Sequence, residues 1–243
     1  MIKLDFLWEA FLTLLPGIPL TLELGLISFC LGGILSVPLA LMRMSGNGLL
    51  SWPARIYILV FRGTPLLLQI FLIYYGLAQF PMIRQSALWI FFRDPFFCAI
   101  LALTLNMAAY ASESVRGGLL AVPHGQIEAA RACGMSKPLL MWRIVLPLAF
   151  RQSLPAYGSE LIIMMKSTSL ASIITMMEIT GLSSRLISAT FRPIEVLLAA
   201  GSIYLALCFI STRLVLALEY WLSPHLRQAP PSTFLLNVKE GIH

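Results

Sequence analysis

Four ionisable side chains lie inside long apolar stretches of this sequence, where they could hold a polar ligand: Glu23, Glu113, Glu160 and Lys166. An ionisable group at the centre of a bilayer costs roughly 2.5–3.5 kcal/mol, so such groups tend to face a protein interior or a wet cavity. Glu160 and Lys166 are six residues apart, a rotation of about 240° on a helix, and so they do not share a face. Each needs another partner, either a charge on a neighbouring helix or a solute with an ammonium and a carboxylate.

Glu160 is the strongest candidate for contact with a solute, and we expect it to bind a cationic group. Three hydroxyl side chains that follow it are expected to hydrogen-bond the polar end of the solute: Ser167, Thr168 and Ser169. The alternative for Glu160 is a position near the membrane interface, with its carboxylate in headgroup water. Lys166 is a further pathway candidate, with pairing inside the helix bundle as the favoured alternative. Glu23 is expected to face inward, and Glu113 with Arg116 is expected to form a local i, i+3 salt bridge.

Residues typical of catalysis or metal binding are few. The histidines are His124, His225 and His243, all outside the apolar stretches, and neither H-E-x-x-H nor G-x-S-x-G occurs. The four cysteines form no C-x-x-C pair. The net charge is +6, but the basic residues form no run, which argues against nucleic-acid binding. We therefore expect no catalytic site, metal site or disulfide framework, and an intramembrane enzyme is disfavoured.

The composition places the chain in a bilayer. It has 243 residues, 58% of them hydrophobic and 12% charged, against roughly 25% charged residues in a soluble domain. The mean hydropathy is +0.85. A transmembrane helix needs about 20 mostly apolar residues, and five stretches qualify: 12–41, 56–80, 96–119, 154–176 and 196–217. They are continuous rather than alternating, which predicts an all-α fold with one transmembrane domain, its core over about 12–217.

Basic residues predict the orientation of the five crossings. Ten lie on one side of the membrane: Arg43, Arg55, Arg62, Arg116, Arg131, Lys137, Arg143, Arg151, Arg213 and Arg227. Five lie on the other: Lys3, Arg84, Arg93, Arg185 and Arg192. The positive-inside rule puts the larger set in the cytoplasm. The N-terminus is then periplasmic, and a tail over 219–243 is cytoplasmic.

The internal segment 120–153, which we call the elbow, carries the most distinctive pattern. Residues 126–133 are good helix formers, and Gly134 can take a left-handed conformation that ends a helix. A second short helix over 137–145 is expected to stop near Pro147. Two helices joined at a glycine, with small alanines exposed, would suit insertion into a groove on another protein. An interfacial amphipathic helix is the alternative.

The spacing in the elbow resembles a known signature. Glu128-Ala129-Ala130, three residues, Gly134, nine residues and Ile144-Val145-Leu146-Pro147 fill each named position of the E-A-A loop of permease subunits of ATP-binding-cassette importers. Two further runs resemble the polar amino acid group of these permeases: residues 61–66 (F-R-G-T-P-L) and 166–172 (K-S-T-S-L-A-S). The likeness is to permeases for histidine, for lysine, arginine and ornithine, and for the opines octopine and nopaline.

This resemblance implies a type I importer permease (MetI-like) fold in a bacterial inner membrane. It implies a cytoplasmic ATPase dimer docked on the E-A-A residues and on Ile144, Leu146 and Pro147, a second and related permease subunit, and a periplasmic solute-binding protein. The solute is expected to be a polar, cationic amino acid or an opine. The sequence has no Gly-Lys dipeptide and hence no phosphate loop, so ATP and magnesium would be bound by the partner, with no cofactor in this chain.

A gradient-driven secondary transporter is the main alternative. Five helices are few for an inverted-repeat transporter, although oligomers could compensate. Such a carrier would also have no need to dock an ATPase, so the elbow disfavours it.

Overall fold

The structure, a computed structural model, describes residues 4–222 and is helical almost throughout. The helices are α1 (Leu4–Leu14), α2 (Ile18–Met44), α3 (Gly48–Gly63), α4 (Leu66–Phe71), α5 (Pro81–Arg84), α6 (Trp89–Phe92), α7 (Pro95–Leu120), α8 (His124–Ala132), α9 (Lys137–Leu140), α10 (Leu146–Ser167), α11 (Ile179–Thr190) and α12 (Pro193–Leu222). No strand occurs in residues 4–222, in agreement with the expected all-α fold. The predicted tail lies almost entirely outside the described residues.

The apolar helices account for up to five crossings. Three continuous segments are long and apolar enough to span a membrane: Leu4–Met44, Pro95–Leu120 and Pro193–Leu222. Two bent pairs complete the set: Gly48–Gly63 with Leu66–Gln79, and Lys137–Ile174 with Ile179–Thr190. The second apolar stretch, predicted over 56–80, is not a single helix, because the chain bends by 105° between Gly63 and Leu66. A count of about five spans is compatible with this arrangement.

The centre of the bundle is the contact between α2, α7 and α10. The buried face of α2 is made mainly of small or hydroxyl residues that recur every three or four positions: Thr21, Leu24, Gly25, Ser28, Gly32, Ser36 and Ala40. A Cβ at Gly32 would come within 2.7 Å of the Met107 Cβ on α7. Small residues of this kind allow close helix contact in membranes, where van der Waals packing drives association. Because this face of α2 is buried, Glu23 is exposed, and the expectation that it faces inward is wrong.

A second packing cluster joins the N-terminal helix to the C-terminal one. Ala10 and Leu14 of α1 lie against Val196, Ala199 and Ile203 of α12, and all five are at most 3% exposed. The first and last helices therefore close the bundle together.

A fully buried glutamate stabilises the bend between α10 and α11. After Ser167 the chain continues as a 3₁₀ helix over Thr168–Ile174, and it turns at Thr175, whose φ is +68°. Glu178 then caps α11 by accepting hydrogen bonds from the amides of Thr180 and Gly181, each at 2.9 Å. The Tyr204 hydroxyl of α12 donates to the same carboxylate at 2.6 Å. The carboxylate thus joins its own turn to α11 and α12 inside the bundle.

Two adjacent glycines of α7 provide a test of the close helix packing. A Cβ at Gly118 would lie 2.7 Å from the Ser153 Cβ on α10, whereas a Cβ at Gly117 meets nothing within 4 Å. We expect Gly118→Ala to lower the free energy of unfolding by about 1–3 kcal/mol, the usual cost of overpacking. Gly117→Ala should be neutral or slightly stabilising. Thermal unfolding of the detergent-solubilised protein measures the difference, and equal midpoints for the two variants would contradict the packing described here.

Candidate functional site

A cavity of about 540 Å³ lies between the bent second span, α7 and α10, and we call it the central cavity. Its lining residues are Arg62, Gly63, Thr64, Pro65, Leu66, Asn106, Met107, Tyr110, Glu160, Ile163, Met164, Ser167 and Leu170. The lining combines apolar side chains with a few polar and charged ones, which is typical of a site for a small ligand.

The cavity exists because the second span is broken. Pro65 has no amide proton and restricts Thr64 to an extended conformation, so the helix cannot continue through these residues. The Gln69 side chain compensates, since its amide donates to the carbonyls of Phe61 at 2.9 Å and Thr64 at 3.1 Å. Asn106 of α7 donates to the Phe61 carbonyl at 3.2 Å and to the Gln69 side-chain oxygen at 3.0 Å. Irregular backbone at membrane depth is tolerated where it is satisfied in this way and lines a cavity.

Opposite charges face the central cavity without forming an ion pair within 4.0 Å. Glu160 comes from α10, and Arg62 comes from the end of α3, where its guanidinium carbon lies 5.1 Å from the centroid of the Tyr110 ring. In residues 4–222 the ion pairs within 4.0 Å join Glu113 to other arginines, so Glu160 and Arg62 do not pair. The cavity therefore offers both an anionic and a cationic group to a ligand.

The structure brings together only part of the predicted solute-contact set. Glu160 and Ser167 both line the cavity, because seven residues are close to two helical turns. Thr168 is fully buried, and its hydroxyl donates to the carbonyl three residues earlier at 2.8 Å. The Ser169 hydroxyl donates to the Lys166 carbonyl at 2.6 Å. Lys166 is exposed and forms no ion pair with residues 4–222, so the expected pairing inside this bundle is not seen.

Several cavity residues were missed by the sequence reasoning. Arg62 was used only for orientation and within the F-R-G-T-P-L run, and Asn106, Tyr110 and the neighbouring Gln69 were not proposed as site residues. The sequence signal that could have identified these residues is a polar side chain within an apolar span, close to a proline. The expected salt bridge of Glu113 with Arg116 is confirmed at 2.9 Å, and Arg43 of α2 adds a second contact to Glu113 at 3.1 Å.

The elbow has the glycine joint expected from its sequence, but its second arm is different. Helix α8 ends at Ala132, and Gly134 follows with φ of +76°. Helix α9 passes through a π-helical turn, Met141–Val145, directly into α10. The expected stop near Pro147 is wrong, because Pro147 lies in the first turn of α10, where a missing amide proton costs little. The second arm of the elbow and the helix that carries Glu160 are therefore one continuous rod.

The predicted docking residues divide into a surface and a small core. Glu128, Ala129 and Gly134 are exposed, as is Pro147. Ala130, by contrast, is only 6% exposed, so the expectation that the alanines of the elbow are exposed is wrong at this position.

The buried side of Ala130 packs in a cluster with Val122, Leu140, Val145 and Ala149. Ile144 and Leu148 lie partly buried against the same cluster, and Leu146 is also half-buried. This core fixes α8 against the start of the rod, so the elbow has a defined shape.

Apolar spans around a charged cavity form the architecture of a solute permease. The chain belongs to the family of binding-protein-dependent transport system inner membrane components, whose pattern it matches over residues 31–224. It is 55% identical to the octopine transport system permease protein OccM of Rhizobium meliloti over 238 residues, which cover 98% of this chain and 97% of OccM. It is also 55% identical to the nopaline transport system permease protein NocM of Agrobacterium fabrum over 220 residues, 90% of this chain and 91% of NocM.

A solved structure agrees with the fold. A chain from the crystal structure of an amino acid ABC transporter with histidines has a TM-score of 0.80 and 31% identity, over 90% of this chain and 99% of that one. The resemblance to ABC importer permeases and the predicted fold class are confirmed.

The hydrogen bonds at the broken span give a second test. Replacing Gln69 by Leu removes the donors to two carbonyl groups, and unsatisfied buried polar groups of this kind cost about 1–3 kcal/mol. We expect Gln69→Leu to lower the thermal unfolding midpoint in detergent. Gln79→Leu is the control, because Gln79 is exposed and bonds only to a carbonyl of its own segment at 3.4 Å. The assignment fails if both variants unfold at the same temperature as the wild type.

Proposed function

We propose that this chain forms one half of the transmembrane pathway of an ATP-driven importer for a small solute that carries both positive and negative charges. The observation that carries the proposal is the presence of Glu160 and Arg62 in one cavity without an ion pair between them. Each charge is costly in a membrane unless a ligand or neighbour compensates it. A cationic amino acid or an opine has a guanidinium or ammonium for Glu160 and a carboxylate for Arg62.

Polar groups around the two charges would orient such a solute. Ser167 and Asn106 line the same cavity, and their side-chain oxygens can accept hydrogen bonds from an ammonium, a guanidinium or an amide N–H, because their donors are already bonded within the protein. The names of the relatives OccM and NocM point to octopine and nopaline, which fit this pattern. Three further predicted residues stay candidates for solute contact in conformations in which α10 and the 3₁₀ segment after it are arranged differently: Lys166, Thr168 and Ser169.

The elbow is the proposed docking site of the ATPase. Glu128, Ala129 and Gly134 present an exposed surface, beside a groove of about 500 Å³ that Pro147 helps to line. This surface is supported by residues on its buried side: Ala130, Ile144 and Leu146. From Lys137 to Glu160 the rod has 23 residue steps, about 35 Å at 1.5 Å per residue. Movement of the elbow would therefore reach the central cavity as a rigid-body displacement.

The partners follow from the same proposal. Two cytoplasmic ATPase subunits bind ATP with magnesium and hydrolyse it, while this chain performs no catalysis. A second permease chain, related rather than identical, completes the pathway, and a periplasmic binding protein delivers the solute. The complex lies in the bacterial inner membrane with the elbow in the cytoplasm and the N-terminus in the periplasm, as the distribution of Lys and Arg favours.

The cavity charge is tested by Glu160→Gln, which keeps the shape of the side chain and removes its charge. Hydrogen bonds to charged groups contribute about 1.5–3 kcal/mol, so uptake of a cationic amino acid into vesicles should fall about tenfold or more. Glu9→Gln on exposed α1 is the control and should transport normally. Unchanged uptake by the Glu160 variant would remove the solute-contact assignment.

The elbow is tested by Gly134→Val combined with Glu128→Lys. A β-branched residue is strained at a φ of +76°, and the charge reversal changes the exposed arm. We expect loss of ATPase co-purification and of ATP-dependent uptake, while the strain at residue 134 should lower the free energy of unfolding by only about 1–3 kcal/mol. Gly125→Ala is a control on α8, because a Cβ there meets nothing within 4 Å and its φ is ordinary. Normal uptake without a bound ATPase would overturn the proposal, and dependence on a proton gradient alone would favour a secondary transporter.

A further inference from the structure

Three arginines from three helices surround a cavity at one end of the bundle. Arg43 lies in the last turn of α2, Arg55 in α3 and Arg116 near the end of α7, and together they line about 440 Å³. We call these three residues the arginine cluster. The site is distinct from the central cavity.

The arginine cluster carries more positive charge than its surroundings neutralise. Arg43 and Arg116 share one carboxylate, that of Glu113, at 3.1 Å and 2.9 Å. Arg55 is exposed and has no ion pair with residues 4–222. Three cations therefore face one anion. The side chains of Arg43 and Arg116 remain 30% and 31% exposed, so part of each guanidinium is free to donate to a ligand.

Exposed apolar side chains lie on α3 and α7, two of the helices that carry the cluster, and one of them, Leu120, lines the same cavity. Leu49 and Trp52, at the start of α3, are 84% and 64% exposed, and Leu120, at the end of α7, is 59% exposed. Trp52 and Arg55 are three residues apart and so lie on one face of α3. Tryptophan beside basic residues is typical of the membrane interface, and basic pockets between transmembrane helices bind anionic headgroups. A dissolved anion has no apolar part that could contact these side chains, whereas a lipid does.

We propose that the arginine cluster binds the phosphate of an anionic phospholipid such as phosphatidylglycerol, with the acyl chains against Leu49, Trp52 and Leu120. Phosphate matches the planar, multiple donors of arginine. A neighbouring cavity of about 560 Å³, lined by Arg43, Arg55, Arg62 and others, connects the cluster to the arginine of the central cavity. The bound lipid thus stabilises the ends of α2, α3 and α7 on which that cavity depends, a role separate from solute recognition.

Trp52 is a built-in reporter for this lipid. The full complex is reconstituted in nanodiscs that contain brominated phosphatidylglycerol or, at the same mole fraction, brominated phosphatidylcholine. Subtracting the signal of a Trp52→Phe variant isolates the quenching of this one tryptophan among the five. We expect phosphatidylglycerol to quench Trp52 more strongly, and the preference to weaken as salt is raised. Equal quenching of Trp52 by the two lipids would overturn the proposal, whatever the effect of substitutions at the arginines.

Two substitutions test whether the preference for phosphatidylglycerol comes from the arginine cluster. Arg55→Gln should reduce the preference for phosphatidylglycerol about fivefold, the contribution of one basic residue near a membrane surface. Arg93→Gln, at an exposed arginine before α7, should leave it unchanged. Inorganic phosphate separates the two sources of the ligand. If it displaces the brominated lipid more effectively than chloride at equal ionic strength, the site is one for free phosphate and the lipid proposal is wrong.

Discussion

This structure depends on close contact between helices in an environment where the hydrophobic effect does not drive them together. In lipid, helices associate through van der Waals packing and internal hydrogen bonds rather than through the hydrophobic effect. Helix α2 meets this requirement with a face of glycine, serine and threonine, and α7 meets it largely with alanine. The resulting contact fixes where α10 can lie and hence where Glu160 meets the cavity. Larger residues on these faces would separate the very helices that form the site.

The same lack of water explains how a sharp bend can survive in the second span. A break at Thr64 and Pro65 leaves carbonyl groups that solvent would satisfy in a soluble protein. Here Gln69 and Asn106 satisfy them, and one network therefore both repairs the backbone and shapes the central cavity. Recognition and stability are not independent at this site, because a change to either amide affects both.

The sequence predicted features that depend on local pattern. Hydropathy identified the spans, the i, i+3 spacing identified the pair of Glu113 with Arg116, and residue type indicated the left-handed Gly134. It did not predict the 105° bend, because a hydropathy average is insensitive to a change of direction. It also misjudged Pro147, since a proline ends a helix in its interior but is tolerated in its first turn. That Arg62 and Glu160 line one cavity, although their spans are far apart in sequence, depends on tertiary packing that no local pattern records.

The 3₁₀ segment Thr168–Ile174 has a geometric consequence for the helix that carries Glu160. A 3₁₀ helix rises about 2.0 Å per residue and an α-helix about 1.5 Å, so rewinding these seven residues would shorten the chain axis by about 3.5 Å. The far end is anchored by the buried Glu178 carboxylate, and the near end belongs to the rod. Such a change of winding would draw the rod lengthwise toward the anchor and turn it about its own axis, displacing Glu160 without any fracture of α10.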